Sequence, residues 1–391
     1  MERLEEQFVA RFSKPSHWTI RSPGRVNLIG DHTDYNDGFV LPMAIEHAVW
    51  LIAAPRDEAG INVYSANLDR AEEFGGNGEK LSVSETWTDY LKGVVAEFQS
   101  HGMDMPGLEI LVWSDVPMGC GLSSSAALQI GMARLLQLIE PERVPDGELA
   151  ALCQTAEHNF TGMPAGIMDQ FCVAYAKNEH LMYLDCRSLD VQHIPLRDDR
   201  VAVLIINSKV SRELRDGSYA KRRASCEEAC GILGVSHLRD VTSAQVEEAK
   251  EELGDLRYRR ARHVTSEDER TAATVEAIAN KDWREVGRLM HESHLSLSND
   301  YETSCPELDI INNIAHDMGQ DSGLYGARIT GGGFGGCAVA LIEREHLESI
   351  VTTLSARYLE ATGIELEAYS SSPSFGARVT TQPETPHGTE S

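Results

Sequence analysis

Residues 22–45 read SPGRVNLIGDHTDYNDGFVLPMAI. Ten positions of this stretch hold an arginine (Arg25), an aspartate next to a histidine (Asp31, His32) and a second aspartate (Asp34). Pro23, Gly24, Gly30 and Gly38 mark turns around them. Charge concentrated at a glycine-rich bend adds no core to a folded chain. Several acceptors held close together suit a ligand with many hydroxyl groups, and the nearby guanidinium suits an anion.

A second segment, residues 116–128, reads VPMGCGLSSSAAL. Gly119 and Gly121 let the backbone approach a ligand closely and adopt conformations that a side chain forbids. Ser123, Ser124 and Ser125 then stand where an amphipathic helix begins. Exposed amides and the helix dipole make an anion site there, and serine hydroxyls cap the helix or ligate a hydrated cation. A plain serine cap after a glycine turn is the alternative, but it leaves three consecutive serines unexplained. No GxxxxGK[ST] motif occurs, so this is not a Walker loop.

Residues 327–340 read ARITGGGFGGCAVA and satisfy the dinucleotide pattern GxGxxG at Gly331, Gly333 and Gly336. That match is rejected because a β-like run follows the glycines where the fingerprint demands a helix. Two readings remain, a loop packed tightly against the phosphate loop and substrate, or a glycine-rich hairpin turn. The last feature is a pair of acids. Glu157 lies on a helical pattern (TAEHNF), where a lone glutamate is usually a solvated surface charge. Asp169 follows Gly162, Pro164 and Gly166 and stands among Ile167, Met168 and Phe171. A charge among apolar residues needs a partner.

Away from these motifs the chain is ordinary. With 391 residues, 42% hydrophobic and 25% charged, it is a globular chain long enough for two domains. A net charge of -26 excludes nucleic acid and anionic membrane as partners, because both repel it, so an anionic substrate must be met by local positive charge. The eight cysteines show no disulfide framework. Cys226 and Cys230 lie four apart with no second pair at zinc-ligand spacing. Reduced thiols in a cytoplasmic protein are the expectation. The start, MERLEEQF, is too acidic for a signal peptide, and the longest strongly apolar run, Val201 to Ile206, is too short to span a bilayer.

Strands are expected at Trp18 to Ile20, Phe39 to Leu41, Val49 to Ala53, Ile61 to Tyr64, Leu108 to Trp113, Leu181 to Cys186 and Val201 to Asn207. Helices are expected at Ser124 to Ile139 and Glu148 to Phe160, and through most of Tyr219 to Asp317. A strand-loop-strand segment (Leu324 to Leu341), a helix and a strand near Ile364 to Tyr369 close the chain. The polar stretch Ser188 to Arg200, with Pro195, is the expected boundary between domains 1–195 and 196–379. Residues 380–391 read as a disordered tail.

In this order the motifs resemble the signatures of galactokinases, members of the GHMP kinase superfamily that also holds homoserine, mevalonate and phosphomevalonate kinases. Residues 156–171 are similar to the family's AEHxFxGMPCGIMDQF, with Ala165 in place of the usual cysteine. DCRSL (185–189), YAKRRASCEEA (219–229), RARHV (260–264) and DYETSCPELD (300–309) extend the resemblance over nearly the whole chain. It implies a two-domain α+β fold with the active site in the interdomain cleft and Tyr219 reaching in from the second domain. It implies transfer of the γ-phosphoryl group of ATP to the C1 hydroxyl of α-D-galactose, the first committed step of galactose catabolism by the Leloir route.

The resemblance also assigns roles. Asp169 and Arg25 would be the catalytic pair, and Asp31, His32, Asp34 and Tyr219 would contact the sugar. Gly119, Cys120, Gly121, Leu122, Ser123, Ser124 and Ser125 would hold ATP, with Ser125 and Glu157 on Mg2+. The protein would be a monomer or weak homo-oligomer acting on galactose and MgATP. Two departures stand out. Met118 and Cys120 replace the family's more usual leucine and glycine. Asp31 replaces the family's usual glutamate at the outer, C6 end of the sugar, which withdraws the carboxylate by about 1.5 Å, one carbon-carbon bond. A backbone shift, a bridging water or a different substituent at that carbon would each accommodate this. Two rivals stay open, a kinase for a C6-modified or N-acetylated sugar and a non-catalytic sugar sensor. The complete Ser123 to Ala127 run and Asp169 argue against the sensor.

Overall fold

The structure is a computed structural model and describes residues 2–76, 79–117, 119–142, 144–210 and 218–381. Helix α1 (Glu2–Phe12) precedes strands β1 (Trp18–Asn27), β2 (Phe39–Val40), β3 (Pro42–Pro55), β4 (Gly60–Ser65) and β5 (Arg70–Phe74). Helix α2 (Asp89–Ser100), strand β6 (Gly107–Ser114), and helices α3 (Ser124–Ile139), α4 (Leu149–Thr161) and α5 (Met168–Tyr175) follow. Strands β7 (His180–Asp185), β8 (Val191–Pro195) and β9 (Val201–Asn207) lead to a helical run. It comprises α6 (Ser218–Leu233), α7 (Ser243–Glu248), α8 (Lys250–Ala279), α9 (Trp283–Asn299) and α10 (Pro306–Met318). The chain ends with β10 (Leu324–Ile329), β11 (Cys337–Glu343), α11 (Leu347–Thr362), β12 (Glu367–Ser371) and β13 (Arg378–Thr381).

Three sheets result, in the orders β13-β1-β3-β6-β4-β5, β10-β11-β9-β12 and β2-β7-β8. Strands β4 and β6 pair in parallel and the other ladders are antiparallel. Period-two alternation places the first sheet between two layers. In β3, Leu51 and Ala53 enter the main core, whereas Ile52 and Ala54 join Leu111 against Leu4 and Phe8 of α1. Strand β9 is buried along its whole length, which is why VAVLIIN reads as a continuous apolar run. Its Val201, Val203 and Ile205 face the main core, while Ala202, Leu204 and Ile206 face a second core shared with α8, α10 and α11. This is a mixed α+β fold.

One expectation needs correction. Thr380 and Thr381 are not tail. They lie in β13, where Thr381 pairs with Thr19 and Val379 with Ile20, so the C-terminal segment closes the edge of the N-terminal sheet. Residues 382–391 lie outside the described residues. The polar stretch 188–200, the expected domain boundary, holds strand β8 (Val191–Pro195), which pairs with β7. No helix among the described residues is long and apolar enough to cross a membrane.

Candidate active site

The site begins at an irregularity in β1. Its register against β3 shifts between Pro23 and Arg25, and a Cβ on the intervening Gly24 would stand 2.7 Å from the carbonyl oxygen of Leu122. Glycine at this bulge lets the strand press against the loop ahead of α3, and the Arg25 amide donates to that same oxygen at 3.0 Å. Arg25 is 4% exposed. Its Nε donates to Asp169 Oδ1 at 2.8 Å, its Nη2 lies 2.6 Å from that oxygen, and its Nη1 donates to the Gly121 carbonyl at 2.5 Å. Ser123 Oγ donates to the other carboxylate oxygen at 2.5 Å. Both oxygens of Asp169, in the first turn of α5, are therefore engaged from the loop side.

Gly119, Gly121 and Ser123 adopt positive φ of 71°, 72° and 59°. Alternation of backbone hand curls amide groups into a concave cradle ahead of α3, the arrangement that binds phosphate. A serine tolerates this conformation at a cost. The 331–336 glycines close the cradle from the other side. A Cβ on Gly331 would stand 2.9 Å from the Gly121 oxygen, and one on Gly336 2.8 Å from the Cys120 oxygen. Strand β11 follows these glycines, so the dinucleotide pattern fails here; the glycines form the turn between the antiparallel strands β10 and β11 and also pack tightly against the 119–125 loop. Cys120 is buried, and a hydrogen bond from Cys337 holds its thiol below the ordinary range. Met118 lies outside the described residues.

On the loop that follows β1, Asp31 is 1% exposed. Asn27 Nδ2 donates to its Oδ1 at 2.9 Å and Arg328 Nη2 to its Oδ2 at 2.7 Å. Asp34 approaches Gly166 so closely that a Cβ there would fall 1.9 Å from Oδ2. Burial, then the charges of Asp169 and Asp31, push Asp34 up to about 7. His32 Nδ1 shares a 2.9 Å hydrogen bond with the Tyr35 hydroxyl, which lies 2.8 Å from that of Tyr301. The Tyr219 ring stands 5.6 Å from His32 and 5.2 Å from Tyr35. Aromatic rings from positions 32 and 35 thus pack with those of Tyr219 and Tyr301.

Arg25, Asp31, His32, Asp34, Ser125, Glu157, Asp169 and Tyr219 all line one cleft of about 760 Å³. Gly119, Cys120, Gly121, Leu122, Ser123 and Ser124 do not. Gly121, Leu122 and Ser123 act behind its wall through Arg25, β1 and Asp169. Glu157 is no solvated surface charge. It is 7% exposed, accepts from Gln170 Nε2 at 2.6 Å, and is pushed up to about 7 by burial and by Asp169. Sequence reading missed Val83 and Tyr90, which also line the cleft, and the buried Arg328 behind it. A charge in the apolar run ARI was the available signal for Arg328.

Models of the N-terminal and C-terminal domains of GHMP kinases match residues 89–177 and 274–360, which defines the class as a GHMP kinase. The galactokinase galactose-binding signature matches residues 6–55. A galactokinase of Roseiflexus sp. (strain RS-1) is 40% identical over 365 residues, 92% of each chain. One of Glaesserella parasuis serovar 5 is 39% identical over 383 residues, 97% of this chain and 99% of its own. The crystal structure of Lactococcus lactis galactokinase, complexed with galactose, superposes with a TM-score of 0.92 at 30% identity and covers 96% of this chain and 99% of its own. The chain belongs to the galactokinase family.

Proposed function

We propose that the cleft transfers the γ-phosphoryl group of ATP to the C1 hydroxyl of α-D-galactose, giving α-D-galactose 1-phosphate and ADP. The observation that carries this is the single carboxylate of Asp169, held between Arg25 and the phosphate-loop Ser123 while its side chain keeps 29% exposure toward the cleft. Asp31, His32, Asp34 and Tyr219 bind the sugar, and the 119–125 loop binds ATP, with Ser125 the member that lines this cleft. Asp169 accepts the proton of the C1 hydroxyl, or orients that hydroxyl while the proton leaves late. Arg25 keeps Asp169 ionised and offsets charge developing on the transferring group. Positioning and electrostatics supply most of the rate, as in other phosphoryl transfers.

Mg2+ fits the residues present. Glu157 is buried close enough to Asp169 for the two negative charges to oppose one another, which a divalent cation would relieve. Ser125 and Glu157 would hold it, and it would neutralise charge on the ATP phosphates. The same reading makes the protein a cytoplasmic enzyme of small molecules, monomeric or weakly self-associating, with no nucleic acid or membrane partner. Its net charge of -26 and eight free cysteines support that.

The test is ADP release from purified protein with MgATP, comparing galactose with galactosamine, N-acetylgalactosamine, galacturonate, fucose, glucose and no sugar. Turnover strongly favouring galactose is expected. Preference for a sugar altered at C6 would move the function to that substrate. Silence across the panel while galactose still binds would make the protein a sensor.

A further inference from the structure

We infer that Arg328, on β10 and far in sequence from the sugar loop, is a positioning residue that sets sugar affinity by holding Asp31. This rests on the reading of Asp31 as a sugar contact. The guanidinium is completely buried. Its Nη2 donates to Asp31 Oδ2 at 2.7 Å and lies 3.7 Å from Glu267 Oε1, and its Nη1 reaches the Asn27 carbonyl at 3.4 Å.

Glu267 on α8 is itself fully buried and anchors the same loop. Its Oε1 accepts from the Gly30 amide at 3.0 Å and from Ser293 Oγ at 2.5 Å, and its Oε2 accepts from Arg270 Nε at 2.8 Å. His263 Nε2 lies 3.1 Å from the Asp31 carbonyl. The residue before Asp31, its backbone and its carboxylate are thus each held by a different side chain from α8 or β10. The charges run Arg270, Glu267, Arg328, Asp31, alternating in sign.

A buried ion pair is a poor way to gain stability, because desolvation offsets most of the attraction and an apolar replacement is often neutral. What such a pair fixes is geometry. Asp31 lines the cleft with both oxygens engaged from behind, by Asn27 and Arg328. Its position and charge are therefore set by the core beneath it before any sugar arrives. Burial alone favours the neutral form of Asp31, and Arg328 is the largest opposing charge, with Arg25 also favouring ionisation and Glu267 opposing it. Among the described residues Arg328 bonds to Asp31 and the Asn27 carbonyl and to neither the 119–125 loop nor Asp169, so its loss should fall on sugar binding rather than on turnover.

The experiment is steady-state kinetics of Arg328→Lys and Arg328→Met on the full chain, with galactose and ATP varied separately. Lysine keeps charge and volume but cannot form the same fork. Arg328→Lys should raise the galactose KM about tenfold, with the ATP KM within about twofold and kcat within about threefold. In Arg328→Met, Asp31 loses its main counter-charge and ionises at higher pH. The ratio of its galactose KM to that of wild type should then fall as pH rises from 6 to 9. Taking the ratio removes the titration of Glu157, common to both proteins; Asp34, which feels the charge of Asp31, ionises more readily where Asp31 is neutral and so only reduces the expected fall. Equal rises in both KM values, an unchanged galactose KM, or an Arg328→Lys protein that does not fold would each overturn the inference, the last by assigning the arginine to folding. Failure of wild type to phosphorylate galactose would instead overturn the function on which it rests.

Discussion

The two ends of the cleft are built in opposite ways. Around Asp169 the parts are neighbours in backbone: a bulge at Gly24, a loop with alternating hand, and glycines at 331 and 336 that admit the loop at van der Waals limits. The carboxylate there stays 29% exposed. Around Asp31 the parts are side chains, and Asp31, Arg328 and Glu267 are 1%, 0% and 0% exposed. On the proposed reading, chemistry thus sits on close-packed backbone facing the cleft, and recognition sits on buried charge. A reacting carboxylate must meet substrate, whereas a recognition carboxylate must above all stay where it is.

The sharpest break in that contrast is Asp169→Asn. The amide preserves volume and both neighbours but cannot accept a proton or balance Arg25, so kcat should fall about 10²-fold or more with the fold intact. Near-normal turnover, with an unchanged circular dichroism spectrum, would remove the residue from the reaction. The pH profile gives the next largest effect. Asp34 and Glu157 are each raised to about 7, chiefly by burial, and on the proposed reading each acts ionised, Asp34 accepting a sugar hydroxyl and Glu157 holding Mg2+. kcat/KM should therefore drop about thirtyfold from pH 8 to pH 5.5 for each of these ionisations that controls the rate. The sign for stability is reversed. The fold favours their protonated forms, so what they contribute is present at acid pH and lost as pH rises through about 7. A flat rate profile would mean that neither ionisation matters.

A third variant tests the backbone side. Gly331 has φ of 76°, and a Cβ would stand 2.9 Å from the Gly121 oxygen. Gly331→Ala should cost about 1–3 kcal/mol in thermal unfolding, because neither backbone can yield freely. It should also raise the ATP KM by about tenfold while leaving the galactose KM less affected. An equal effect on both substrates would show that the two ends are coupled more tightly than their construction suggests.

The same contrast decides what sequence reading could see. Helix α3 and strand β9 begin and end where the sequence pattern places them, because one is a long, mostly buried run behind a glycine-serine turn and the other is wholly apolar. The helices α1, α2 and α5 and the strands β5, β8 and β13 were not anticipated. Strands β8 and β13 are short and polar and form only because a neighbouring edge is free to pair. The phosphate-loop corner was legible because each piece is a contiguous motif with its own glycine logic. The partners of Asp31 were not, since Arg328 is 297 positions away and Glu267 is 237 from Gly30. A sequence shows that a buried charge needs a partner, but only the fold says which one.

The smallest expected effect separates burial from mere pairing. Arg239 also crosses from the later helices to the sugar-loop region. It donates to both oxygens of Asp185 at 2.7 and 2.8 Å and to the Asp37 carbonyl at 2.8 Å, and its guanidinium lies 3.9 Å from the Phe39 ring centroid. Its side chain is 20% exposed and that of Asp185 22%. In geometry this bidentate pair is better than the one Arg328 makes. If pairing alone placed the sugar loop, Arg239→Lys should harm galactose binding as much as Arg328→Lys. If burial decides, solvent replaces the lost bonds and the galactose KM should move by less than about twofold. The expected trace of Arg239 is in acid stability instead. Its bonds hold Asp185 down to about 2, so this contribution is present above the ordinary carboxylate range near pH 4 and lost as pH falls toward 2. Thermal unfolding of Arg239→Lys and wild type should therefore differ at pH 6 and converge toward pH 2. A large galactose KM effect with no such convergence would transfer the placement of the sugar loop from the buried arginine to the exposed one.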